Sequence, residues 1–100
     1  MSDALTRSAR GEECTIRLPG CSHDPAQTVA CHANGSAAGK GIGMRAPSFL
    51  IAYGCMHCHD SYDRRKKPPQ GWTHDDVKIA FYEGVFRTQI ILEKKGLLKC

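Results

Sequence analysis

The chain reads as a small α+β domain, closed by one long C-terminal helix and stapled through its cysteines. Three observations predict this. Two cysteine pairs, Cys14/Cys21 and Cys55/Cys58, stand far apart in sequence. Two short β-prone segments, at 14–19 and 28–32, precede a glycine-rich stretch. Between Thr73 and Lys95 the apolar residues recur at helical spacing. One hundred residues, taken as a single domain over 1–100, bury only a modest core. Chains of that size commonly add a disulfide, a metal or a partner subunit.

Taken in order, residues 1–11 carry mixed charge and end at Gly11. Residues 1–8 are expected to be flexible, with a helical turn over Leu5–Arg10. Ile16 and Leu18 alternate within Cys14–Pro19, which predicts a short strand stopped at Pro19-Gly20. Thr28–His32 is the second strand, with Thr28, Ala30 and His32 on one face and Val29 and Cys31 on the other. Residues 33–48 have no periodicity and hold four glycines, which predicts a loop. A loop of that length in a compact domain is usually functional or disordered. Phe49–Tyr53 is an apolar strand leading into Cys55. Asp60–Lys67 is strongly charged, and Pro68-Pro69 ends any helix there. Thr73 is the N-cap of the long helix, with Asp75 and Asp76 in its first turn, where the helix dipole favours acids. Val77, Ala80, Phe81, Gly84, Val85, Thr88 and Leu92 form its core stripe, and Gly96 is placed as the residue after the C-cap. Ile79, Phe86 and Ile90 lie off that stripe and mark a candidate homodimer surface.

The net charge is +4, from fourteen Lys and Arg against ten Asp and Glu. That suits a polyanion partner without demanding one. The N-terminal residues contain no apolar run of secretory length, and no window reaches a membrane span. The expectation is a cytoplasmic protein with no membrane partner. In a reducing cytosol, clustered cysteines bind metal or perform chemistry more often than they form structural disulfides.

Cys55-Met-His-Cys58 is a CxxC knuckle, and Cys14 and Cys21 form a looser C-x6-C pair. Two separated pairs are what a four-thiolate Zn²⁺ site needs, and its binding energy is also folding energy. A redox dithiol is the other use of CxxC, but it expects a thioredoxin-like βαβ context that this chain lacks. Cys31 reads as a packed thiol or a site-lining residue, and Cys100 as incidental.

His59 follows the knuckle directly, and Asp63 lies four residues on. If the second knuckle opens a helix, as in treble-clef zinc folds, the two side chains share one face. Such a pair can hold a divalent ion. Arg64 and Arg65 can meet phosphate oxygens. The order of features resembles the zinc-bearing HNH nucleases: cysteine pair, His at a strand end, Gly-rich loop, apolar strand, CxxCH, helix. The whole chain resembles the prophage-encoded YbcO-like nucleases, a small family related to the HNH (ββα-metal, His-Me finger) enzymes. The stretches that carry the resemblance are Ala9-Arg-Gly-Glu-Glu-Cys-Thr-Ile-Arg-Leu-Pro-Gly20, Cys55-Met-His-Cys-His-Asp60, Asp63-Arg-Arg65 and Arg87-Thr-Gln-Ile90.

The resemblance implies a ββα-metal fold in which His32 is the general base and His59 the helix-borne metal ligand. Asp63 falls where some members carry a second helix histidine. Two positions depart from the pattern. Cys31 stands before the base His, where an Asp or His often binds the metal. The middle Asn has no clear counterpart, Ser48 being nearest in order and Asn34 the only Asn in the chain. The expected function is therefore metal-dependent hydrolysis of phosphodiester bonds, in DNA, with a structural Zn²⁺ and a catalytic divalent ion such as Mg²⁺. Lys40, Arg45, Arg64 and Arg65, with Lys66 and Lys67, are the expected phosphate contacts. The competing expectation is a catalytically inert zinc module that binds nucleic acid or a protein. A thiol redox protein using Cys55 and Cys58 is the third.

Overall fold

The computed structural model describes residues 3–34 and 47–98. In chain order the elements are α1 (Asp3–Arg7), a 3-10 turn (Pro25–Gln27), β1 (Val29–His32), β2 (Ile51–Gly54), α2 (Met56–Tyr62) and α3 (His74–Lys94). β1 and β2 pair antiparallel, with Val29 opposite Gly54 and His32 opposite Ile51. All four residues of β2 are buried. Its alternating side chains serve two clusters: Ile51 and Tyr53 pack with Leu5, Ala9 and Leu92, whereas Ala52 packs with Cys31, Ile16 and Phe81. α3 covers β2, and α2 packs on both β2 and α3. In β1 only Cys31 is buried, while Val29 and His32 are exposed.

α3 follows the sequence reading closely. Thr73 accepts from the Asp76 amide while the Asp76 carboxylate accepts from the Thr73 amide, a reciprocal capping box. Its buried residues are Val77, Ala80, Phe81, Gly84, Val85, Thr88 and Leu92, the expected stripe. The helix ends in a Schellman turn: Gly96 has φ +76°, its amide bonds to the Glu93 carbonyl, and the Leu97 amide bonds to Leu92. Ile79, Phe86 and Ile90 are each more than half exposed.

Two segments differ from the sequence reading. Cys14–Pro19 is not a strand. Arg17 adopts φ +61°, which breaks the extended alternation and turns the chain back toward Cys21. Ile16 and Leu18 are buried all the same. The segment is tied to β2 at one residue. The Thr15 amide donates to the Tyr53 carbonyl, and the Thr15 and Thr88 hydroxyls both accept from the Tyr53 amide. Arg87 also donates to the Thr15 carbonyl at 2.7 Å. Gly84 in α3 is what admits this loop. A β-carbon there would lie 3.2 Å from the Ile16 Cα.

The N-terminal end, set aside as flexible, is anchored at Leu5 and Ser8. The expected helical turn is α1, starting two residues earlier, and Leu5 and Ala9 are buried. Ser8 shares a hydrogen bond with the Tyr53 hydroxyl at 2.7 Å, and Lys95 donates to the Ser8 carbonyl and to Glu12.

Candidate functional site

Local structure delivers four sulfurs to one point. Cys55 is the N-cap of α2 and Cys58 lies in its first turn, so both sulfurs sit at the positive end of the helix. Cys14 and Cys21 come from the loop turned by Arg17 and by Gly20, at φ +86°. Backbone amides donate to the sulfurs, from Arg17 and Ile16 to Cys14, from His23 to Cys21, from Ser22 to Cys55 and from Leu18 to Cys58. The four sulfurs all lie within 4.8 Å of one another, with Cys21 and Cys55 at 3.7 Å. Tetrahedral ligands at ~2.3 Å from zinc are about 3.8 Å apart, so the cluster fits. None of these cysteines is in a disulfide.

Their charges are unequal. A hydrogen bond from the Cys58 thiol holds Cys14 down at about 4, and the same bond pushes Cys58 up. Burial pushes Cys21 up to about 11. For Cys55 burial opposes ionisation, but the amides of Cys58 and Ser22 outweigh it and the thiol is lowered. Thiolates this close repel one another, and a divalent cation at their centre removes that repulsion. The four cysteines can therefore hold a metal ion such as zinc.

His57, inside the CxxC knuckle, was not singled out from the sequence. Its Nε2–H donates to the Pro19 carbonyl at 2.8 Å, and Lys66 Nζ donates to its Nδ1 at 3.0 Å. It thus binds the first knuckle to the second. Gly20 is required beneath it, since a β-carbon there would lie 2.9 Å from His57 Nε2. A variable position inside CxxC carries no sequence signal for this role.

On the next turn of α2, His59 Nε2 lies 3.0 Å from Asp63 Oδ2, with both side chains about one-quarter exposed. His59 Nδ1 is buried and, among the described residues, has no hydrogen-bond partner. His32 is exposed at the end of β1. Among the described residues, no hydrogen bond or ion pair joins it to His59 or Asp63. The link is indirect. The Asn34 amide donates to the Tyr62 hydroxyl at 3.0 Å, and that hydroxyl donates to Asn34 Oδ1 at 3.2 Å. Tyr62 therefore fastens the chain two residues beyond His32 to the helix that carries His59 and Asp63. Tyr62 was missed because its stacking on Phe81 alone explains an aromatic at that position; the rings lie 3.7 Å apart at 7°.

Cys31 is fully buried among core residues, as a packed thiol, and burial pushes it up. It packs toward Gly54 and Ile16 and does not line the surface beside His32.

The basic residues part company. Lys40 and Arg45 lie outside the described residues, as does Cys100. Arg64 and Arg65 follow α2 in its C-terminal Schellman turn. Arg64 donates its amide to Ser61, and Arg65 donates its amide to Asp60. Arg64 occupies the left-handed position at φ +63°, where glycine is usual and a β-carbon costs roughly 1–2 kcal/mol. Together with Lys66, Lys67, Pro68 and His74 they line an open cavity of about 330 Å³ between the end of α2 and the start of α3. Burial, then the charges of Arg64 and Lys78, lower the His74 pKa.

With this geometry established, the comparisons with known proteins bear on the whole chain. The profile of the family described as "Putative nuclease YbcO" matches residues 3–97. The chain is 35% identical to "Putative nuclease YbcO" of Escherichia coli (strain K12), over 95% of this chain and 96% of that protein. It has the same identity and coverage with "Putative nuclease ybcO" of Enterobacteria phage 82. Among solved structures, a bacteriophage protein from Escherichia coli K-12 MG1655 matches with a TM-score of 0.71 at 33% identity. That match covers 91% of this chain and 98% of the other. Alike in sequence along nearly its whole length and in fold, the chain belongs to the family described as "Putative nuclease YbcO".

Proposed function

We propose that this protein is a metal-dependent endonuclease of the HNH type that hydrolyses phosphodiester bonds in nucleic acid, DNA in the first instance. The names of its relatives support a nuclease. One observation carries the finer reading. His59 and Asp63 are paired on the helix that directly follows an antiparallel hairpin, and the first strand of that hairpin ends at His32. The 3.0 Å separation of His59 Nε2 and Asp63 Oδ2 suits a hydrogen bond. It equally suits adjacent ligands of an octahedral ion, which at ~2.1 Å from the metal stand about 3.0 Å apart. These two residues would hold a divalent ion such as Mg²⁺, which when bound supplies Lewis-acid stabilisation of charge at the phosphate.

The chain's own groups do the rest. His32 has the exposure a general base needs, and an imidazole nitrogen with a free lone pair can take the proton of the attacking water. Asn34 and Tyr62 set the position of its strand end against α2. Arg64 and Arg65, with Lys40 and Arg45, hold backbone phosphates, contacts that carry no sequence information. The four cysteines hold a structural zinc that fixes the start of α2 and so the placement of His59. The test is cleavage of DNA by His32→Ala with Mg²⁺, Mn²⁺ or Ni²⁺ supplied. A rate loss of ~10²–10⁴ with metal content and fold intact is expected. Cleavage at the parental rate refutes the mechanism.

A second reading is a catalytically inert zinc module that binds nucleic acid. The His59 Nδ1, which has no hydrogen-bond partner among the described residues, favours it, because a metal-ligating imidazole usually donates its other N–H to a fixed acceptor. The absence of cleavage by the parent across metals and substrates would select this reading.

A further inference from the structure

We propose that the turn joining α2 to α3 is a phosphate seat for the backbone of the nucleic-acid substrate, with Arg64 as its principal contact and Lys66, Lys67 and His74 around it. The proposal deepens the nuclease reading and rests on its premise that the chain handles nucleic acid. Four independent features support it. Among the described residues, the cavity there is lined by five cationic or protonatable side chains and Pro68, with no carboxylate in its lining. Among the described residues, Arg64 and Lys67 form no ion pair, and Arg65 has only a long contact to Asp60 at 3.7 Å. Of the acids nearest in sequence, Asp63 is engaged by His59 and Asp76 by the Thr73 amide, and the exposed Asp75 acts on His74 less than burial, Arg64 and Lys78 do. Arg64 also stands at the left-handed position that glycine would occupy without strain. A strained non-glycine residue points to a task for its side chain. His74, whose charged form is disfavoured first by burial and then by Arg64 and Lys78, would gain from an anion placed in the cavity. A phosphate oxygen meets this combination well, since guanidinium can bind it with two parallel N–H bonds.

The strain supplies the test. Arg64→Gly relieves the backbone, so its Tm should equal or exceed that of the parent, and a folding defect cannot mimic the result. Binding is measured in a His32→Ala background without added divalent ion, by anisotropy of a labelled DNA duplex. Losing one phosphate contact should weaken binding roughly eightfold at ~0.1 M salt and reduce the slope of log K against log salt by about 0.9. Lys94→Ala removes the same charge at the far end of α3, ~30 Å away and beyond the ~10 Å screening length, and should change affinity less than about twofold. Equal losses in the two variants would mean diffuse charge alone and overturn the proposal. Parental binding by Arg64→Gly, or no binding by the parent, would overturn it too. The His74 imidazole signal, followed by NMR, should move on adding DNA at far lower concentration than inorganic phosphate requires, and should not move in Arg64→Gly. The reverse order would make this a site for free phosphate and refute the backbone assignment. Cleavage is not read in these assays, so failure of the seat leaves the His32 mechanism standing, and the converse holds.

Discussion

Tyr62→Phe isolates the contact that places His32. The substitution keeps the ring and its stack on Phe81, 3.7 Å away, and deletes one oxygen. That oxygen makes two hydrogen bonds to Asn34, at 3.0 and 3.2 Å. Each is worth ~0.5–1.5 kcal/mol net. Asn34 is exposed, so water can replace its lost partner and the low end of that range applies. The total comes to roughly 1–2 kcal/mol, or a Tm lower by about 4–16 °C for a domain of this size. Tyr62→Ala would add the loss of a buried ring and cost ~3–5 kcal/mol, confounding position with folding. The effect on function should exceed what stability explains. Residue 34 released from α2 lets the strand end at His32 drift, and a misplacement of ~1 Å in a catalytic geometry can cost ~10² in rate. A drop of roughly tenfold in kcat is expected well below the Tm. KM and the pH profile should hold, because His32 itself is unchanged. The assays are thermal unfolding by circular dichroism and cleavage of a labelled DNA at several temperatures. A lowered Tm with parental kcat would refute the positioning role of Tyr62. An unchanged Tm would refute the hydrogen bonds themselves.

The purified protein should carry about one zinc per chain by mass spectrometry, and Cys58→Ala should lose it together with several of the ~10–16 kcal/mol that such sites contribute; full stability after chelation would contradict this. Phe81, fully buried and stacked on Tyr62, should cost ~3–5 kcal/mol as alanine, seen as a collapsed denaturant midpoint, and a parental midpoint would contradict the packing. Gly54→Ala should destabilise although alanine is ordinarily the better-behaved residue, because its β-carbon would fall 2.6 Å from Cys31 Sγ; a rise in Tm would show that the thiol can move aside. Two copies are expected to pair through Ile79, Phe86 and Ile90, so light scattering over a dilution series should pass from dimer to monomer and Phe86→Glu should stay monomeric; a monomer at every concentration removes that expectation.

The long helix was legible residue by residue. Its cap, core stripe and terminal glycine are local matters, governed by spacing along one chain segment and by the backbone groups at its ends. The cysteine cluster was legible for a related reason. Few residue types serve zinc, and two separated thiol pairs leave little else to do. What sequence alone could not settle was anything decided between segments. Cys14–Pro19 has the alternation of a strand, but Cys14 and Cys21 must reach the sulfurs of α2, and the positive φ of Arg17 that allows this leaves no mark in the apolar pattern. Residues 1–8 read as a flexible end because the groups that hold Ser8, from Tyr53 and Lys95, are supplied from distant parts of the chain. His57 and Tyr62 owe their roles wholly to partners 38 and 28 residues away. The chemistry of a side chain is written in the sequence, but which polar group it meets depends on how the elements pack. Only the tertiary structure could therefore show that His57 bridges the two knuckles and that the Tyr62 phenol, besides stacking on Phe81, bonds to Asn34.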